Sequence, residues 1–205
     1  MVLQQAKPLT VWGWARPGAQ VTVAITEDAR VAKPFLEEQK PQEAPPTYRV
    51  RMAYLEENPP GFTPQQRATR ADQNGRWAAT FEPLQASFTP KFIVARSGSE
   101  GAAIADVLVG EVWVCTGQSN MVWPNWCAKD LEQPSADFPG IRYLRIENSY
   151  YKPLDDLEGN PRWVVCSPEA TRRFSAVPYL FARTLHLYLK VPVGVINNAR
   201  GGTLA

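Results

Sequence analysis

Alternating apolar and polar positions near the N-terminus predict paired β-strands. In "QVTVAI", residues 20–25, Val21, Val23 and Ile25 alternate with polar or small residues, which is the period of a half-buried strand. A second candidate strand, "LTVWGW", covers residues 9–14, and Pro17-Gly18 lies between the two. Because Pro-Gly supplies the backbone angles of a tight turn, we predict a β-hairpin over residues 9–26.

The same pattern recurs further along the chain. Asn74-Gly75 is a strong hairpin signal, and Trp77, Ala79 and Phe81 after it fall on one face. The stretch "KFIVARSGSEGAAIADV" predicts another strand pair around a Gly-Ser turn. Residues 1–106 are therefore predicted to form an antiparallel, β-sandwich-like domain.

A proline-rich stretch interrupts this domain. Residues 27–70 hold seven of the nineteen prolines, with Glu, Gln and Lys between them. Such a segment cannot form a central strand and buries little apolar surface. We predict a long surface loop, and a tolerated insertion is favoured over a binding role.

After residue 106 the pattern changes to long apolar strands and a helix. "VLVGEVWVC" is nearly continuous apolar sequence, typical of a strand covered on both faces. "IRYLRI" and "VPVGVIN" predict two further strands. Strands that alternate with helical segments indicate a parallel α/β sheet over residues 107–205. Three strands are few for such a sheet, and we expect this one to be truncated.

The helix of this region is predicted over residues 174–190. Ser175 is the expected N-cap, and Pro178 lies in the first turn, where proline costs little. Its predicted apolar face consists of Val177, Leu180, Phe181, Thr184, Leu185 and Tyr188.

Composition and charge exclude several classes of protein. Apolar residues make up 44% and charged residues 20% of the 205 residues, and the net charge is +2 without a block of five like charges. This argues against a nucleic-acid partner. No apolar run approaches the roughly 20 residues of a membrane span, and no signal peptide is visible. Three cysteines without a C-x-x-C pair favour buried free thiols over a disulfide, and argue against a metal site.

A serine follows the most apolar strand directly. Ser119 comes just after "VLVGEVWVC", and ligands of α/β sheets bind outside the carboxyl ends of the strands. Gly117 permits a sharp turn there, and backbone N–H groups of a following helix can stabilise an oxyanion. The alternative is an ordinary N-cap serine.

A longer match supports the nucleophile interpretation. "DVLVGEVWVCTGQSNM", followed by Trp123-Pro124, resembles the nucleophile block of the sialate O-acetylesterase family, which are carbohydrate esterases of the SGNH-hydrolase type. "MVLQQAKPLTVWGWARPGAQVTV", "NGRWAATF", "FSAVPYLFARTLH" and "VPVGVINNARGGT" resemble further blocks of that family in the same order. The resemblance implies a serine esterase that removes O-acetyl groups from sialic acids or other acetylated sugars, without a cofactor or metal.

The resemblance also implies roles for individual residues. Ser119 would be the acyl-accepting nucleophile, and its own N–H would form the oxyanion hole with the backbone around Gly201 and Gly202. The residues implied to shape the turn or reach the site are Gln118, Asn120 and Asn197. Two positions depart from the family pattern: Val122 replaces an acidic or polar residue and Arg200 replaces a tryptophan. Substrate preference therefore stays open.

The expected base is missing from the nucleophile's surroundings. A serine needs an adjacent base to attack an ester, but the one histidine, His186, lies in the middle of the predicted helix. In the family the base belongs to an Asp-x-x-His block further along, and "DDLEGN" at residues 155–160 has carboxylates without histidine. We expect the N-terminal part of an esterase, inactive alone, with Asp and His supplied by a further segment or a second chain. The resemblance implies a secreted, periplasmic or lysosomal protein.

The alternative is a non-catalytic carbohydrate-binding or vestigial fragment. Trp12, Trp14 and Trp77 could offer aromatic platforms to sugar rings. Their strand spacing nevertheless favours packing inside the β domain.

Overall fold

A computed structural model describes residues 1–36, 61–127, 136–146 and 161–202. The chain divides into two compact units. Leu3–Val109 is called the β unit here, and Met1–Val2 together with Gly110–Ala205 is called the α/β unit. The mixed α/β class predicted from the sequence is confirmed.

The β unit is built from antiparallel strands. In chain order, its first part contains β1 (Val2–Gln4), β2 (Leu9–Trp14), β3 (Gln20–Thr26), the short helix α1 (Ala29–Ala32) and a 3-10 turn (Lys33–Phe35). Its second part contains β4 (Gln65–Arg70), β5 (Arg76–Phe81), β6 (Ser87–Ser97) and the first residues of β7 (Glu100–Cys115). β2 and β5 form a two-stranded sheet, whereas β4, β3, β6 and β7 pair in that order.

The predicted hairpin over residues 9–26 is wrong in its pairing. Both strands exist, and Gly18 has the positive φ of +74° that its turn requires. However, β2 pairs with β5, and β3 pairs with β4 and β6. A Cβ atom at Gly13 would lie 2.7 Å from the ring of Trp77. Glycine at this position therefore makes room for the buried indole of the strand that β2 does pair with.

The turn at Asn74-Gly75 is present, but it does not join a hairpin. Gly75 donates to the carbonyl of Asp72 at 3.0 Å, and the Asp72 carboxylate accepts the N–H groups of Asn74 and Arg76. The strand before this turn, β4, pairs with β3 rather than with β5. β4 also lies inside the stretch predicted as a loop, of which residues 37–60 are outside the described residues.

Tryptophan exposure differs from the predicted packing. Trp77 is buried with Ala79 and Phe81, as expected from the alternating pattern. Trp12 and Trp14, however, are 47% and 54% exposed. Both lie on the outward face of β2, where their rings meet edge to face at 5.1 Å. The expectation that all three indoles fill the core is therefore wrong for two of them.

The predicted strand pair around the Gly-Ser turn is confirmed. β6 and β7 run antiparallel, and Ser97 and Glu100 close the ladder on either side of the turn. The sequence predicted that β7 is buried on both faces. This is the case only in its middle, residues 107–110. Beyond it, Trp113 and Val114 are 43% and 65% exposed.

The α/β unit has a central group of parallel strands. Its elements are the end of β7, β8 (Ile141–Arg145), β9 (Trp163–Val165), α2 (Pro168–Thr171), α3 (Ala176–Leu189) and β10 (Val193–Asn197). β10 lies between β7 and β8 and is parallel to both. β9, which the sequence analysis missed, pairs antiparallel with β8. The parallel register aligns the carboxyl ends of three strands: Asn197 is opposite Cys115 on one side and Arg145 on the other.

Helix α3 has the predicted position but buries a different face. It begins after the N-cap Ser175 and ends at Leu189. The residues that it buries are Pro178, Tyr179, Ala182 and His186. Most of the predicted apolar face is exposed, including Val177, Leu180, Phe181 and Tyr188. No helix within the described ranges has both the length and the apolar character needed to cross a membrane.

The three cysteines are free thiols, as the sequence favoured. Cys115 and Cys166 are buried, and Cys127 is exposed, contrary to the expectation that all are buried. Burial raises the pKa of Cys166 to about 11, so this thiol stays protonated at neutral pH.

Candidate active site

Ser119 lies in a short turn just beyond the carboxyl end of β7. The turn is a 3-10 helix, Ser119–Met121, in which Val122 and Trp123 donate backbone hydrogen bonds to the Ser119 carbonyl at 2.9 and 3.1 Å. Gly117 precedes it with a φ of +141°, and a Cβ there would lie 2.9 Å from Met121 Cγ. Glycine therefore permits the chain reversal that leaves Ser119 exposed.

The loop after β10 runs beside this turn. Asn198 donates to the Cys115 carbonyl at 2.9 Å, and Arg200 donates to the Gly117 carbonyl at 3.0 Å. A Cβ at Gly201 would lie 3.8 Å from the Cβ of Ser119. The structure thus brings together two of the predicted site residues, a serine and a glycine backbone, from the ends of adjacent parallel strands.

The other predicted residues divide into exposed and buried ones. Gln118 and Asn120 flank Ser119 and are exposed. Gly202 is exposed with a φ of +78°, and a Cβ added there would have no atom within 4 Å. Asn197 is buried at the end of β10.

The side-chain amide of Asn197 makes three hydrogen bonds inside the protein. Its Nδ2 donates to the Met121 carbonyl at 3.1 Å and to the Tyr143 hydroxyl at 2.6 Å, and its Oδ1 accepts the Ala199 N–H at 2.9 Å. These three bonds occupy two donors and one acceptor. Asn197 therefore holds the serine turn in place, and we describe it as a positioning residue.

Tyr143 is a site residue that sequence reasoning missed. Its hydroxyl accepts hydrogen bonds from Asn197 and from the backbone N–H of Ser175 at 3.1 Å. Its ring stacks on Phe174 at 4.3 Å. Burial raises the pKa of Tyr143, although the Asn197 hydrogen bond opposes this. The phenol is therefore neutral at physiological pH and links β8, β10 and the start of α3.

We predict strong coupling between Asn197 and Tyr143. Asn197→Ala should lower the free energy of unfolding by about 2–3 kcal/mol, because it leaves buried polar groups without a partner. In a cycle with Tyr143→Phe, measured by urea unfolding, the coupling should be about 0.5–3 kcal/mol. Purely additive effects would contradict the role given to this hydrogen bond.

His186 has the structural role expected from its place in the helix. It is buried, and its Nδ1 lies 2.8 Å from the Val191 carbonyl, to which a protonated Nδ1 donates. Its ring also contacts Phe138 edge to face at 5.9 Å. Burial lowers the pKa of His186. Neutral and inaccessible, this ring cannot exchange protons with a substrate on an exposed serine.

The carboxylates of "DDLEGN" at residues 155–160 lie outside the described residues. Within the described ranges, no cluster of three His, Cys, Asp or Glu side chains could hold a metal ion. What the geometry offers is an exposed hydroxyl, adjacent backbone N–H groups and a buried scaffold that fixes both.

The chain is similar in sequence to several proteins named sialate O-acetylesterase. The chain is 28% identical to sialate O-acetylesterase of Homo sapiens and 28% identical to that of Pongo abelii, in each case over 99% of this chain and 36% of the relative. The Mus musculus sialate O-acetylesterase is 27% identical over 99% of this chain and 34% of its own. No family model matches the chain. The chain spans about a third of the length of the three sialate O-acetylesterases.

A solved structure is similar to this chain in fold. A carbohydrate acetylesterase from Xanthomonas citri aligns with a TM-score of 0.76 and 26% identity over 99% of this chain and 38% of its own. The fold is thus similar to that of a carbohydrate acetylesterase. The predicted resemblance to the sialate O-acetylesterases is confirmed over almost the whole length of this chain.

Proposed function

We propose that this protein is a serine esterase that removes O-acetyl groups from sialic acids or other acetylated sugars. The observation that carries the proposal is the exposed Ser119 beside the Gly201 backbone, at the aligned ends of parallel strands. The relatives named sialate O-acetylesterase support the substrate class. We further propose that residues 1–106 are a β-sandwich-like domain and residues 107–205 the N-terminal part of an SGNH-type catalytic domain.

In the proposed reaction, Ser119 Oγ attacks the acetyl carbonyl and a base takes its proton. The N–H of Ser119 and backbone N–H groups at Gly201 and Gly202 stabilise the oxyanion of the tetrahedral intermediate. Its collapse expels the sugar hydroxyl, which takes up the proton, and leaves an acetyl ester on Ser119. Water then attacks this ester, returning its proton through the base, and acetate is released.

The base of this reaction is proposed to lie outside the 205 residues. The one histidine of the chain is the buried His186. The resemblance to the family implies an Asp-x-x-His block further along the chain. A second chain that supplies the pair is the other source. We therefore propose that the 205-residue chain alone turns over ester negligibly.

The test is acetate release from 9-O-acetyl-N-acetylneuraminic acid and from 4-methylumbelliferyl acetate. It compares the 205-residue chain with the product of the reading frame extended by about one domain beyond Ala205. Activity that appears only in the longer product supports the proposal. Robust turnover by the short chain, dependent on Ser119, would show that no further base is needed.

A second candidate function, carbohydrate binding by the β unit, gains support from the exposed indoles. Trp12 and Trp14 present about half of their surface to solvent, next to the Thr10–Thr80 hydroxyl pair on the same sheet face. Aromatic faces and hydroxyl groups are typical of sugar-binding surfaces.

For this second function, we expect Trp12→Ala/Trp14→Ala to abolish retention on an immobilised sialylated glycan, while Ser119→Ala leaves it unchanged. The matched control is Trp113→Ala, which removes an indole that is 43% exposed in the other unit. Retention that depends on Ser119, or that survives loss of both indoles, would argue against this function.

A further inference from the structure

Helix α3 has a second face that is mainly apolar, opposite the face that it buries in the α/β unit. The buried face consists of Pro178, Tyr179, Ala182 and His186. At about 100° of rotation per residue, the centre of the opposite face consists of Val177, Phe181, Thr184 and Tyr188, with Leu180 and Leu187 beside it. All six of these residues are exposed, and together they are called the outer face of α3.

The outer face carries no charged residue. The one arginine of the helix, Arg183, lies over the Phe138 ring instead, 5.6 Å from the ring centre. The apolar surface continues onto the sheet of the same unit, because the Trp113 ring of β7 meets Phe181 edge to face at 5.2 Å. At the other end of the helix, Tyr188 is 82% exposed. A surface helix is normally polar on the side that meets water, so this face is expected to be covered.

The apolar area is of the size that a dimer interface needs. Aromatic side chains offer about 150–250 Å² each, so the exposed fractions of Trp113, Phe181 and Tyr188 amount to roughly 300 Å². The exposed aliphatic side chains of the outer face add to this area. A stable homodimer buries about 800 Å² per partner, of which about two thirds is apolar. The outer face thus supplies most of the apolar area that association with a second copy requires.

The outer face is complementary to itself in shape. An antiparallel pair of α3 helices, with the two-fold axis passing between residues 182 and 183, places Val177 opposite the partner's Tyr188 and Thr184 opposite the partner's Phe181. Each aromatic side chain therefore meets a smaller one. Because the face holds no charge, two copies approach without like-charge repulsion. The antiparallel arrangement also brings opposite ends of the two helix dipoles together.

We propose that the outer face of α3 is the interface of a homodimer, in which the α3 helices of two copies of this chain pack antiparallel about a two-fold axis. The interface does not depend on the esterase reaction proposed for Ser119. The competing occupant of the face is a further segment of a longer polypeptide, and it gives different results in the experiments.

The first test is the mass of the 205-residue chain in solution, measured by light scattering and sedimentation equilibrium. We expect a dimer at micromolar concentration. Phe181→Glu/Tyr188→Glu should raise the dissociation constant about 100-fold or more, because each new charge would be buried against an apolar surface. The matched control is Trp126→Glu, which places a charge at an exposed aromatic position of the same unit outside α3. The control should remain a dimer, and thermal melts should show that every variant is folded.

The second test is disulfide cross-linking, which reports on the antiparallel register. It uses a Cys127→Ser background, because Cys127 is an exposed free thiol. A chain with Val177→Cys and a chain with Tyr188→Cys should form a covalent heterodimer when they are mixed and oxidised. Either chain alone should form little, because the two copies of one position are about 16 Å apart along the helix axis, which is beyond the reach of a disulfide.

Several results would overturn the proposal. They are a monomeric 205-residue chain, a dimer that survives Phe181→Glu/Tyr188→Glu, and cross-linking of either single variant as strong as that of the mixture. A longer reading-frame product that is monomeric while the 205-residue chain dimerises would also overturn it, because a further segment would then cover the face. Ser119→Ala should leave the dimer intact, so failure of the proposed reaction can be told apart from failure of the interface.

Discussion

Replacing Ser119 by alanine is expected to lower kcat for acetyl-ester hydrolysis by about 10⁴-fold or more, since loss of a catalytic nucleophile typically costs that much. The variant keeps the turn intact, because the hydrogen bonds of Ser119 that shape it use its backbone carbonyl. The exposed side chain makes no packing contribution that alanine would remove. Stability should therefore stay within about 0.5 kcal/mol of the wild type.

The measurement is acetate release by the longer product that carries the proposed acid–base pair. Ser99→Ala is the matched control, because it also removes an exposed turn serine, in the β unit, and should leave kcat unchanged. Mass spectrometry after brief exposure to substrate should find an acetyl group on Ser119 in the wild type only. Undiminished kcat in Ser119→Ala would exclude it as the nucleophile.

Gly110→Ala is expected to destabilise the α/β unit by about 3 kcal/mol or more. A Cβ at Gly110 would lie 2.0 Å from the backbone carbonyl oxygen of Pro192 and 2.7 Å from its carbon. The same oxygen accepts the N–H of Glu111 at 2.9 Å, where β7 meets the chain that leads into β10. No side-chain rotation relieves a clash with backbone, so the strands must separate, and overpacking of this kind is costly.

Urea unfolding followed by circular dichroism measures this effect. Gly61→Ala is the matched control, since a Cβ there has no atom within 4 Å, and its effect should be neutral or slightly stabilising. We also expect Gly110→Ala to weaken amide protection in β10 before that in β3. A stability within 0.5 kcal/mol of the wild type would contradict the close approach of these two segments.

The amino-acid sequence determined the local features of this protein. Period-two alternation identified β3 and β5 with their buried faces, because the positions involved are adjacent in the chain. The bounds of α3 followed from its capping and first-turn residues. The serine turn followed from its glycine and from the resemblance of a continuous block of residues. All of these depend on neighbours within a few positions.

Pairing and face selection were decided only by the tertiary structure. A tight turn lies between β2 and β3, yet each of these strands pairs with strands at least 40 residues away, the shortest separation being that of Ile25 and Gln65. The apolar pattern of α3 predicted that Val177 and Phe181 are buried. In the structure, Tyr179, Ala182 and His186 are buried instead. The local sequence pattern shows that one face of a helix or strand is apolar. It does not show which other part of the protein packs against that face.

The site shows the same division. Ser119 could be read from its strand and turn, but its closeness to Gly201 depends on β10 lying parallel to β7 across 82 positions of sequence. The contact between Asn197 and Tyr143 spans 54 positions and leaves no periodic signal. Sequence by itself determined which residues could do chemistry and where turns place them. Only the tertiary structure decided which of them meet, because hydrogen bonds and packing act between atoms close in space, whatever their separation along the chain.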